Sequence, residues 1–148
     1  MSETVAYKTD FHAWAIYNAR LLREGKLNQL DAEHIAEELE GMSASERREL
    51  LNRLQVLLVH LLKYQYQPER RGKSWLLTIG HQRTAIERLL EQSPSLTALL
   101  DAGTLTRVYG KAVRDAVIET DLERHLFPVE CPYHLEQILD EDWLPKEV

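Results

Sequence analysis

The chain has 148 residues, of which 44% are hydrophobic and 28% charged, with a net charge of -6 and a single cysteine. That length and composition are those of one globular domain with a core of its own, and they exclude a disordered or disulfide-stapled chain. The acidic balance argues against a general nucleic-acid binder, and no apolar run is long enough to span a bilayer.

The charge is uneven. Residues 44–88 carry a net +5, residues 1–43 a net -4 and residues 97–148 a net -6. Either the acidic ends fold against the basic middle, or the middle presents a basic patch to an anionic partner.

The periodicity is helical almost throughout. Thr9 and Asp10 can cap a first helix in which Phe11, Trp14, Ala15, Leu21 and Leu22 recur at helical spacing, and Gly25 can end it in a left-handed cap. Asp31 opens a short second helix with Ile35, Leu39 and Met42 on one stripe, and Gly41 stops it. The stretch "SASE", Ser43 to Glu46, reads as a capping box that starts a long third helix from Ala44 to Tyr66. The first half of that helix is amphipathic. Its second half, "VLLVHLLKYQY", is apolar nearly all round and predicts a central, surrounded helix ended by Pro68 and Gly72.

Ser74 can cap a fourth helix to about Gln92, with Trp75, Ile79, Gln82, Ile86, Leu89 and Leu90 inward. "SPSL" restarts the chain with Ser93 as cap and Pro94 in the first turn. Gly103 breaks this piece. A further helix then turns Leu105, Val108, Ala112, Ala116 and Ile118 inward. Pro128 and Pro132 imply an extended crossing, after which a short helix starts at Pro132, by Cys131, and docks through Leu135, Ile138, Leu139 and Trp143. The expected fold is an all-α, single-domain bundle of about five to seven helices over residues 1–148. The N-terminus has no signal-peptide pattern, and one cysteine suits a reducing compartment, so a cytoplasmic protein is expected.

Polar residues inside apolar stripes are the candidates for chemistry. His60, Lys63 and Gln67 form a polar seam along the third helix. Arg83 lies on or beside the inner stripe of the fourth and needs a partner. Glu38 borders the stripe of the second helix while Glu37 points away, which makes Glu38 the expected mate of Arg83 or Lys63. Such a cluster is either a network that locks helix packing or a ligand site, and a histidine beside a carboxylate can move protons. No nucleophile elbow, glycine-rich phosphate loop or zinc spacing accompanies it. His34 and Glu38 share a face that His60 can approach, which is a weak metal pattern, so no metal or cofactor is expected. In "PERRGKSW", Arg70, Arg71 and Lys73 cluster beside a helix start, where anions bind, or pair with the acidic C-terminal segment. Trp75 reads as core and Cys131 as inert.

The ordered patches "IAEELEGM", "LLVHLLKYQYQPER", "SW", "HQR", "SPSL" and the late "FPVECPY", "IL" and "DW" resemble the bacterial domain-of-unknown-function family 29, from "FHAWA" to "WLP". The resemblance implies a compact all-helical bacterial protein and assigns no activity. Its characteristic polar positions correspond here to Glu37, Glu38, His60, Lys63 and Arg83, with Trp75 alongside. Three readings follow. The first is a non-enzymatic module that binds a protein partner or a second copy. The second is a small-ligand binder or enzyme built on Glu38, His60, Lys63 and Arg83. The third, disfavoured by charge, is a nucleic-acid module using Lys63, Arg70, Arg71 and Lys73.

Overall fold

The computed structural model describes residues 3–148, with side chains from residue 6 onward. The described residues form helices and connecting segments with no strand, as the periodicity predicts. By its contacts the chain divides into two compact units, one ending at Ser45 and the other running from Glu46 to Val148.

The first unit holds α1 (Glu3–Thr9), α2 (Phe11–Arg23) and the start of α3 (Ala32–Tyr66). Sequence reading did not foresee α1. Asp10 caps α2 as expected, its carboxylate accepting from the Ala13 N–H at 3.0 Å. Gly25 ends it at φ 74°, with the Gly25 N–H bonded to Leu22 and the Lys26 N–H to Leu21. That double bond pattern is a Schellman motif, and it needs the left-handed conformation that glycine adopts freely. Trp14, Asn18 and Leu21 are buried, whereas Phe11 and Leu22 are about half exposed, at 51% and 49%.

α3 corrects two expectations. Gly41 does not stop a helix, and Ser43–Glu46 does not start one, because α3 runs unbroken from Ala32 to Tyr66. A break would orphan up to four N–H and four C=O groups on either side, whereas one helical glycine costs only about 1 kcal/mol against alanine. Ser43 is exposed, and the Glu46 carboxylate accepts from the Ser93 hydroxyl at 2.8 Å instead of reaching back to Ser43. Leu39 and Met42, expected inward, are 61% and 65% exposed.

The second unit is built around the C-terminal half of α3. Leu57, Leu58, Leu61 and Leu62 have no exposed surface, so the surrounded helix predicted from its apolar run is found. α4 (Lys73–Gln92) and α5 (Ala102–Thr120) pack into the same core with Phe127, Tyr133 and Ile138. Gly72, not Ser74, is the residue before α4. Ser93 donates its hydroxyl to Glu46 and leaves the following 3-10 turn, Pro94–Leu99, without a side-chain cap. Gly103 lies inside the first turn of α5 rather than before it, because the Asp101 carboxylate caps the Thr104 N–H at 2.8 Å. Ile118 is 75% exposed, and the inner face of α5 is Val108, Tyr109, Ala112, Val113 and Ala116.

Pro128 and Pro132 lie in the extended segment, and the short helix α6 (Leu135–Leu139) follows, starting later than Pro132. The Gln137 side chain accepts from the His134 N–H at 3.0 Å, which fixes that start. Ile138 is fully buried, and the Trp143 ring meets Tyr133 edge-on at 5.4 Å. Among the described residues no helix is long and apolar enough to cross a membrane.

Candidate functional site

The seam of α3 meets the C-terminal end of α5. The Lys63 ammonium lies 3.1 Å from Glu119 and over the half-buried Trp75 ring, 4.9 Å from its centre. Gln67 donates to the Thr120 carbonyl at 3.3 Å. α5 has no basic residue in its own last turn, so Lys63 and Gln67 bring a cation and a donor to its unsatisfied, partly negative end. His60 turns back on its own helix, Nδ1 donating to the Val56 carbonyl at 2.9 Å. Burial pushes its pKa down, and nearby Lys63 adds to this, against the Val56 bond and Glu119.

Arg83 is 5% exposed and serves the C-terminal helix. Its Nε donates to the Ile138 carbonyl at 2.8 Å and its Nη2 to the Gln137 carbonyl at 3.3 Å. Burial lowers its pKa, opposed by Asp140. Glu38 finds its partner within the first unit. Glu38 accepts from the Tyr7 hydroxyl at 2.5 Å, a bond that is the largest cause of the Tyr7 pKa rising to about 12. Glu37 is exposed.

The first unit's remaining polar residues also bond among themselves. Asp31 accepts from Trp14 Nε1 at 2.9 Å and meets His34 Nδ1 at 2.7 Å, and the His34 ring stacks on Tyr7 at 4.0 Å. Burial raises the Asp31 pKa, but the bonds from Trp14 and His34 outweigh it and the net direction is down. Among the described residues no three metal-ligating side chains converge.

The basic turn divides. Arg71 lies over the Tyr64 ring at 3.9 Å, donates to the Tyr64 carbonyl at 2.6 Å and pairs with Glu147 at 3.2 Å. It closes the end of α3 and ties down the acidic C-terminal tail. Arg70 and Lys73 are exposed and form no ion pair.

Two of the clefts in the second unit bear on function. One, of about 470 Å³, has Ile86, Leu90 and Leu139 as apolar lining, Arg83 at its edge, and Glu87, Glu91 and Glu141 around it. The other, of about 510 Å³, lies between α3 and α5. Leu51, Asn52 and Gln55 line it from α3, and Arg107, Gly110, Lys111 and Arg114 from α5. The three cations stand at i, i+4 and i+7, on one face of the helix. All three are exposed, and none forms a salt bridge. Arg107 donates to the Thr104 hydroxyl at 3.2 Å and Gln55 to Asp115 at 2.7 Å, which leaves Lys111 and Arg114 free to meet an anion.

A family model described as "Domain of unknown function DUF29" matches residues 6–144. The chain belongs to this family. No curated protein and no solved structure matches it. The DUF29 match takes in α2 to α6, and so both the buried polar network and the basic groove.

Sequence reading missed the groove. Arg107, Lys111 and Arg114 were visible as a helical stripe, but they fell in a segment of net charge -6 and were averaged away. Counting charge by helix face would have found them.

Proposed function

We propose that this DUF29 chain is a non-enzymatic protein-interaction module whose basic groove between α3 and α5 receives an acidic segment of a partner protein. The observation that carries the reading is the row of Arg107, Lys111 and Arg114, none of them in a salt bridge, along a groove of about 510 Å³. Like charges side by side on a helix cost stability, and an anionic partner relieves that cost. Lys63, Gln67 and Arg83 support the same reading by contrast, since their polar atoms are spent on helix ends and on α6. The cleft that Arg83 lines includes neither His60 nor Lys63, which weakens the case for a single catalytic cluster.

The groove favours a peptide over a nucleic acid on two counts. The row from Arg107 to Arg114 covers only about 10 Å of helix axis, and the chain's net charge of -6 opposes a long polyanion. Leu51 and Val108 add apolar lining, which a peptide side chain can use between charged contacts.

The test is fluorescence anisotropy with a labelled glutamate-rich helical peptide carrying leucines at every third or fourth position. Binding is expected to weaken at least about tenfold in the variant R107Q/K111Q/R114Q, with unchanged helical circular dichroism, and to fall with added salt. Undiminished binding by the triple variant would sink the groove as the site. A single-stranded RNA oligomer that bound more tightly than the peptide at the same salt would replace the protein-partner reading.

A further inference from the structure

The solvent face of α4 carries a pattern that its own chain does not use. Lys73 and Glu91 are both exposed and stand 18 residues apart. Eighteen residues are five full helical turns, so the two charges project along the same line at opposite ends of the helix. Neither forms an ion pair. Between them on the same face lie Gly80 and Thr84, both exposed and both small. A glycine in the middle of an exposed helix costs stability relative to alanine. Within the chain nothing calls for it at position 80, where an added Cβ would meet no atom within 4 Å. Leu76 and Leu77 flank this line and are 44% and 58% exposed.

We infer that this face of α4 pairs antiparallel with the same face of a second copy of the chain. A twofold axis level with Gln82 sets Lys73 of each copy against Glu91 of the other, so both ends close with opposite charges. The same axis sets Gly80 of one copy opposite Thr84 of the other, where small side chains let the two backbones approach. Leu76 and Leu77 leave solvent along the seam. Such a contact is isologous and closes at two copies. Gly110 on α5 has equally open surroundings, but Arg107, Lys111 and Arg114 on that face would bring like charges together in a self-pair. Charge complementarity therefore singles out α4. One helix from each copy gives an interface at the low end of specific sizes, so the dimer is expected to be reversible.

Sedimentation velocity on the full chain over a wide concentration range tests this. The wild type is expected to pass from monomer to dimer as concentration rises. Lys73→Glu and Glu91→Lys each place like charges at both ends and are expected to stay monomeric. An equimolar mixture of these two variants restores an opposite pair at both ends and is expected to dimerise again. Gly80→Leu is expected to block dimerisation while the helical circular dichroism remains. A wild type that stays monomeric throughout, a Lys73→Glu variant that dimerises as well as the wild type, or a mixture that remains monomeric each overturns the proposal.

Discussion

Residues 6–45 and residues 46–148 hold themselves together by different chemistry. In the first unit Trp14 and Leu21 are the large apolar side chains that are buried among the described residues, while Ile16, Leu27, Leu39 and Met42 are each at least 60% exposed. Its cohesion comes from Asp31, which gathers Trp14 and His34, and from Tyr7, which bonds Glu38 and stacks on His34. In the second unit Leu57, Leu61, Ile86, Ala112 and Ile138 are sealed from solvent, and the polar bonds serve mainly the ends of helices. Apolar burial grows with the area removed from water, whereas each hydrogen bond nets only about 1 kcal/mol. The second unit should therefore dominate global stability, and the first should open at lower cost.

Truncation along α3 gives the largest contrast. Leu57→Ala should destabilise the fold by roughly 2–5 kcal/mol through lost burial and a cavity. Leu39→Ala, on the same helix but 61% exposed, should change it by no more than about 0.5 kcal/mol. Urea midpoints measure both. Equal losses at the two positions would mean that the first unit has a core of its own, and the contrast would fail.

The next effect concerns the polar residues. Arg83→Met strips hydrogen bonds from the carbonyls of Ile138 and Gln137, and should cost about 1.5–3 kcal/mol. Glu38→Gln keeps an acceptor for Tyr7 and should cost less than about 1 kcal/mol. Because the two residues share no partner, the double variant should show the sum to within about 0.5 kcal/mol. A double variant more stable than Arg83→Met alone would show that Glu38 and Arg83 act as a charge pair after all.

That pairing shows where sequence reading stopped. The all-helical class, the surrounded half of α3 and the caps at Asp10 and Gly25 were legible because each depends on residues within a turn or two. The continuity of α3 through Gly41 was not, since stop signals act only where the chain gains by leaving the helix. Helical projection placed Arg83 at the buried face correctly but could not say what it meets, and its partners are backbone carbonyls more than 50 residues away, invisible in side-chain chemistry. Ile118 was assigned inward and is exposed, while Tyr109 and Val113 were overlooked, a rotation of the inner face of α5 that only packing against α3 decides.

Acid should separate the two units by the pH at which each weakens, and this is the smallest effect expected. Burial holds His60 below its ordinary value of 6.5, so the unfolded chain takes up a proton there before the folded one does. The contribution of His60 is thus fully present above pH 6.5 and is lost as pH falls from there through its lower folded value. Asp31 in the first unit also titrates below its ordinary value, which is 3.8. Its contribution is present above pH 3.8 and is lost only as pH falls further, through the depressed value of the folded state. Between neutrality and about pH 5 the second unit should therefore lose stability through His60 while the Asp31 bonds of the first stay intact. Urea midpoints taken down that range for the wild type and for His60→Gln measure the difference. The wild type should fall more steeply, because glutamine cannot take up the proton. Parallel slopes would remove His60 as the source and leave the acid response of the second unit to other groups.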